Sequence, residues 1–129
     1  MTDTSERIEG YLRHILDAID RATTYANKAV TFAAFEQDVL LQDVVIRNIG
    51  VIGEAAVKIG QVAPELVAAH SRIPWREMQT MRHKLVHDYF DVDLAVVWDT
   101  VQRDLSPLAE DVRRLLTTLE SGRLSRSPQ

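Results

Sequence analysis

Apolar residues recur at steps of three and four along nearly the whole chain, and only five glycines and four prolines interrupt it. That spacing gives each helix one buried face, so the pattern predicts an all-α protein. Over residues 5–26, Ile8, Tyr11 or Leu12, Ile15, Ile19 and Ala22 make one stripe, with Thr4 or Ser5 placed to cap the helix. Thr31 is placed to cap a short turn through Phe35 and Glu36. A long helix follows over residues 38–61, with Val39, Val45, Ile49, Ile52, Ala56 and Ile59 spread widely around it. Only Asp43, Arg47, Glu54 and Lys58 form a polar stripe there. Such a helix is central to a bundle or half of a subunit interface, and in a chain this small it is expected to be both.

The prolines set the later boundaries. Pro64 can open a short helix, and Pro74 a second one running through Phe90, because the first helical turn has no use for the missing N–H. Asp91 or Asp93 is placed to cap a last helix, which Pro107 should kink or break near Leu105. Gly122 is expected to end that helix, and the segment "RLSRSPQ" beyond it has nothing to bury. The expected architecture is an antiparallel bundle of four to five helices plus short segments, dimeric, with one domain over residues 1–120 and a disordered tail over residues 121–129.

Composition narrows what such a bundle can do. At 129 residues, 46% hydrophobic and 26% charged, the chain can bury one core. No apolar run approaches the ~20 residues of a membrane-spanning helix, so no membrane is expected among its partners. The first residues, "MTDTSERIEG", lack the basic start and apolar stretch of an export signal, and the cytoplasm is the expected location. Without cysteine there is no disulfide and no thiolate metal site. A formal charge of −4 excludes a broadly basic nucleic-acid coat but not a local basic site. Between Arg72 and Tyr89 the balance reverses: Arg72, Arg76, Arg82 and Lys84 stand against Glu77 and Asp88, with His83 and His87 besides.

The densest part of that segment is "MRHKLVHDYF", residues 81–90. His83 and His87 are four apart and could present two imidazoles on one helical face, as zinc sites do. A third ligand is wanting, and Arg76, Arg82 and Lys84 would crowd a divalent cation, so no metal is expected. A solvated helix face accounts for Lys84, Arg76 and His83. It does not account for Arg82, which at about 100° per residue falls inside the apolar arc of Trp75, Met78, Met81, Leu85, Val86 and Tyr89. An arginine there must bury its guanidinium against a partner, for which Glu54 is the candidate, or point it into a cleft.

His87 lies about 140° from Arg82 round the helix, so the two share a site only if the helix bends or a cleft reaches both edges. A two-fold dimer that sets two copies of the segment face to face would make that cleft. Two arginines and two histidines meeting there suit phosphodiester chemistry. The arginine fork neutralises phosphate, and histidine, the side chain that changes charge nearest neutral pH, can move the 2′-hydroxyl proton. Arg76 and His83 lie within about 20–40° of His87 on the wheel and extend the same positive face. Glu54 would serve only to orient Arg82.

Arg82-His83-Lys84-Leu85-Val86-His87-Asp88-Tyr89 resembles the Rx4HxY motif of the HepT-like toxins, a branch of the HEPN ribonuclease superfamily. Chance supplies about 0.009 such matches in a scrambled chain of this composition. "NIGVIGEAA" (residues 48–56), "IPW" (73–75), "YFDVD" (89–93) and "VW" (97–98) are similar to the family's pattern, in order, so the resemblance spans roughly residues 8–119. It implies a homodimeric bundle with a composite active site at the interface, and metal-independent RNA cleavage that leaves a 2′,3′-cyclic phosphate. It also implies that Arg82 and His87 are the catalytic pair. Tyr89 matches the tyrosine AMPylated by a cognate MNT-type nucleotidyltransferase antitoxin; ATP and magnesium would belong to that partner, and no cofactor to this chain. An added nucleotide monophosphate near Arg82 would occupy the phosphate site and repel RNA. His83 stands where this branch usually has asparagine, a departure that bears on rate and substrate preference.

Two other readings stay open. The same arginine cleft could bind a nucleotide or a partner without catalysis, as a non-catalytic subunit of a nucleotidyltransferase. Alternatively, Arg82 and Glu54 form a buried structural ion pair in an inactive dimer, in which case Arg82→Ala would cost about 3–5 kcal/mol.

Overall fold

The computed structural model describes residues 2–87 and 89–125, with the side chains of residues 2, 3, 89 and 123–125 outside that description. The apolar stripe of the first segment becomes α1 (Thr2–Ala29), which buries Ile8, Leu12, Ile15, Ala18, Ile19, Ala22 and Ala26. It starts ahead of the expected cap at Thr4 or Ser5 and runs a turn further than expected. Val30 stops it with a φ of 70°, the left-handed conformation that glycine usually supplies after a helix. Thr31 then caps α2 (Phe32–Glu36), its hydroxyl accepting from the Ala34 N–H at 3.2 Å. This single turn exists to deliver Phe35, which is fully buried with its ring centroid 5.3 Å from that of Trp98.

Asp38 caps the long central helix α3 (Val39–Val62) by accepting from the Leu41 N–H at 3.1 Å. Val45, Ile49, Ile52, Ala56 and Ile59 are buried as the pattern required. Val39 is not: it is 65% exposed, on the side of the first turn of α3 opposite the buried Leu41. The body of α3 rests on α1 along one side and on α5 along another, and α7 closes over α1. These contacts make an all-α bundle with α3 at its centre. At the edge of the core, Arg13 stands 3.5 Å from the buried Glu9 and 2.6 Å from Glu120, joining α1 to α7.

After α3, Pro64 opens α4 (Pro64–Ala69) and Pro74 precedes α5 (Trp75–His87). A 3₁₀ turn (Tyr89–Asp91) leads to α6 (Leu94–Asp99), capped by Asp93, whose carboxylate accepts from Ala95 and Val96 at 3.0 and 3.4 Å. Pro107 leaves its mark upstream rather than by breaking the chain: residues Thr100–Asp104 form a π-helical turn between α6 and α7 (Leu105–Ser125). The wider turn opens the helix where the proline ring and its missing N–H would otherwise meet the carbonyl of Arg103, four residues back.

The last helix does not end at Gly122, as expected, but continues to Ser125. No glycine in the described residues takes a positive φ, so Gly122 stays helical. A lone glycine weakens a helix by about 1 kcal/mol without forbidding it. Of the expected tail, residues 126–129 lie outside the described residues. Among the described residues, no helix is long and apolar enough to cross a membrane.

Candidate active site

The candidate residues sit on α5, whose placement begins with Trp75. Its indole N–H donates to the His70 carbonyl at 3.0 Å, which pins the start of α5 to the preceding turn. Trp75, Met78 and Leu85 are buried against the bundle, and Met81 is half-buried beside them. The apolar arc is therefore narrower than the helical wheel implied. Val86 is 56% exposed, because only the Trp75–Met78–Leu85 side of α5 reaches the core.

Arg82 lies at the margin of that buried side. Its Nε is 2.8 Å from Glu54 Oε1 on α3, the partner the sequence suggested. The pair is not buried, however: the arginine side chain is 37% exposed and the glutamate 44%. The other carboxylate oxygen of Glu54 is 3.9 Å from Lys58 Nζ, one turn along α3. Glu54 thus holds one edge of the guanidinium, and Arg82 makes no other ion pair or hydrogen bond among the described residues.

His83 and His87 are both exposed, and their rings meet at a tilt, with centroids 4.2 Å apart and an interplanar angle of 45°. The structure therefore gathers four of the expected residues into two groups along α5, one of them completed by Glu54 from α3. Arg82 joins Glu54 at the α3 edge, and His83 joins His87 on the open face. Among the described residues the two groups make no hydrogen bond, ion pair or ring contact with each other. Arg76 is exposed two turns earlier and lines a shallow groove of about 400 Å³ with Glu77, Thr80, Met81 and Lys84. Asp88 and the side chain of Tyr89 lie outside the described residues. Among those described, no three His, Cys, Asp or Glu side chains converge as a metal site would require.

A larger cavity, about 430 Å³, opens elsewhere, between α3, the start of α5, the π turn and α7. It is lined by Ile52, Met78, Arg103 and Leu108 among others, and by none of Arg82, His83, His87 or Glu54. Because none of the motif's described residues lines it, the exposed face of α5 is the better candidate. One residue that matters here went unremarked in the sequence: Gly53. A Cβ at that position would overlap the Cβ of Arg82 and approach the Met78 carbonyl oxygen to 2.6 Å.

Fold and site together define a class: an all-α bundle in which one helix carries a carboxylate-anchored arginine and a pair of exposed histidines within the Rx4HxY motif. The chain belongs to the ribonuclease HepT-like family, whose profile matches residues 12–115. A protein of Thermococcus cleftensis named "Probable ribonuclease HepT" is 39% identical over 105 residues, which cover 81% of this chain and 92% of that one. A protein of Caldanaerobacter subterraneus subsp. tengcongensis named as a "Putative RNase" is 32% identical over 106 residues, covering 82% and 91%. A longer protein of Methanocaldococcus jannaschii, named as a gamma-glutamylcyclotransferase and "putative RNase", is 36% identical over 113 residues. That match covers 88% of this chain but only 49% of the longer protein. No solved structure matches the chain significantly.

Proposed function

We propose that this chain is the toxin of a toxin–antitoxin pair, a metal-independent endoribonuclease that cuts RNA through attack by its 2′-oxygen. The observation that carries the reading is the half-exposed, Glu54-anchored Arg82 followed by exposed His87, in a member of a ribonuclease family. Arg82 binds the non-bridging phosphate oxygens and stabilises the charge that builds on them in the transition state. His87 takes the proton of the 2′-hydroxyl as the 2′-oxygen bonds to phosphorus. The bond from phosphorus to the 5′-oxygen breaks, and the equivalent histidine of a second copy gives that oxygen a proton. The products are a 2′,3′-cyclic phosphate and a 5′-hydroxyl. His83 and Arg76 extend the positive face along which RNA lies.

The working unit in this reading is a homodimer in the cytoplasm, its cleft made by two facing α5 segments. Val86, Phe90 and Val96, respectively 56%, 97% and 47% exposed, supply apolar surface around the motif for such a contact. Tyr89 is the acceptor for AMP delivered by a cognate MNT-type nucleotidyltransferase antitoxin, which brings its own ATP and magnesium. A nucleotide monophosphate placed there would compete with RNA for Arg82 and silence the enzyme.

The test is cleavage of total RNA and a tRNA pool in excess EDTA, with intact mass and oligomeric state recorded for the same sample. Wild type is compared with Arg82→Ala and His87→Ala. Cleavage by wild type alone, ending in cyclic phosphate, is the expected result. An unmodified dimer that binds nucleotide but leaves RNA intact would replace this reading with the non-catalytic subunit.

A further inference from the structure

We propose that Gly53 is a positioning residue for Arg82: the absent side chain lets α5 settle onto α3 at the depth where Arg82 meets Glu54. The inference rests on the reading of Arg82 as the phosphate-binding group. The contact is specific to Arg82's own turn. A Cβ at Gly53 would overlap Arg82 Cβ, lie 3.3 Å from Arg82 Cα and come within 2.6 Å of the Met78 carbonyl oxygen. None of these atoms is the swinging end of a long side chain, so none can step aside. To restore ordinary carbon–carbon separation, α5 would have to retreat by on the order of 1 Å.

The neighbouring residue gives that retreat a chemical meaning. Glu54, next along α3, holds the far end of the same arginine through the 2.8 Å contact at Nε. One stretch of α3 therefore fixes Arg82 twice, at its root through Gly53 and at its head through Glu54. Moving α5 outward changes the first without moving the second, and the guanidinium must then let go of the carboxylate or turn. The other glycines of α3 do not share this role. Gly60 faces Gln79 at an ordinary 3.7 Å, and a Cβ at Gly50 would meet nothing within 4 Å.

The experiment compares Gly53→Ala with Gly60→Ala and Gly50→Ala in the full chain. It reads thermal unfolding, kcat and KM on one RNA, and the side-chain Nε resonance of Arg82 in nitrogen-labelled protein, identified by its loss in Arg82→Lys. In Gly53→Ala, kcat is expected to fall by on the order of 10²-fold with KM changed far less, as for a group displaced by an ångström. The Arg82 resonance should move to where Glu54→Gln puts it, while the two control variants leave rate and resonance as they are. An unmoved resonance, or an unchanged kcat in Gly53→Ala where Arg82→Ala is inactive, would overturn the positioning role alone. Wild-type kcat in Arg82→Ala would sink the reading of the active site instead, and the resonance would still report whether Gly53 governs Arg82. Should Gly53→Ala not unfold cooperatively, adding Arg82→Gly removes the colliding Cβ. Recovery then supports the contact with Arg82. Continued failure, with the Met78 carbonyl oxygen still 2.6 Å from the added Cβ, would assign the clash to the backbone and overturn the role specific to Arg82.

Discussion

Arg82 Nε and Glu54 Oε1 stand 2.8 Å apart, yet 37% and 44% of their side chains stay open to water. A pair that exposed contributes about 0–1 kcal/mol to stability, far less than a buried one. Arg82→Ala should therefore shift urea-unfolding stability by less than about 1 kcal/mol. On the proposed mechanism its RNA cleavage falls by about 10²–10³-fold, the usual loss for one transition-state donor. Destabilisation of roughly 3 kcal/mol or more would revive the buried-pair reading.

The two neighbouring histidines, His83 and His87, are expected to differ in importance. Removing a general acid/base typically lowers rate by about 10²–10⁴-fold, which is the loss expected for His87→Ala in initial-rate assays. His83→Asn, in contrast, should keep most of the activity, since an amide can still donate to phosphate from the same position. Equal losses in both variants would mean that His83 carries a proton too.

RNA binding should be strongly salt-dependent, because a locally basic face on an acidic chain holds RNA chiefly through phosphates. Each phosphate contact contributes roughly −0.7 to the slope of log affinity against log salt for a single strand. Arg76→Ala should flatten that slope by about one such unit, measured by fluorescence anisotropy on catalytically silent His87→Ala. A flat wild-type curve would count against the basic face.

Phe35 offers a test of the fold that is separate from the site. It is 0% exposed, comes from a five-residue helix, and packs against Trp98. Phe35→Ala should lower stability by about 3–5 kcal/mol, the range for a buried aromatic truncated to a methyl group. Chemical denaturation with Trp98 fluorescence as one probe measures it directly.

Val30 predicts a change of the opposite sign. A β-branched residue at a φ of 70° is strained, and its side chain is 80% exposed, so little packing offsets the strain. Left-handed geometry disfavours such a residue by about 1–2 kcal/mol, while glycine loses part of that gain through unfolded-state entropy. Val30→Gly should thus raise stability by up to about 1 kcal/mol in the same denaturation assay.

Much of this bundle was legible because helical burial is periodic and capping chemistry is local. Ile8, Leu12, Ile15, Ile19 and Ala22 are buried as their spacing required, and Thr31 and Asp93 cap the helices that follow them. Glu54 could be named as Arg82's partner because an arginine inside an apolar arc needs an acid nearby. Burial at the margins was less readable. Val39 and Val86 look like core residues by hydropathy, yet which turn of a helix another helix covers is a tertiary property. Gly53 was harder still, since within one helix it is only a weak helix former. Its reason is an atom of Arg82, 29 positions further along the chain. Gly122 shows the reverse error, a glycine that suggests a stop and marks none.

The π turn at Thr100–Asp104 couples chain length to the identity of a residue outside it. A π turn holds one residue more than an α turn needs, so deleting exposed Gln102 or Arg103 would let the helix close up with its flanks in phase. Closing it, however, would drive Pro107 against the preceding turn. The deletion should be harmful while Pro107 is present and tolerated beside Pro107→Ala, whereas Pro107→Ala alone leaves the π turn its full length and should be tolerated. In the language of genetics, that makes Pro107→Ala permissive for the deletion, and related chains that shorten this turn should already have given up the proline.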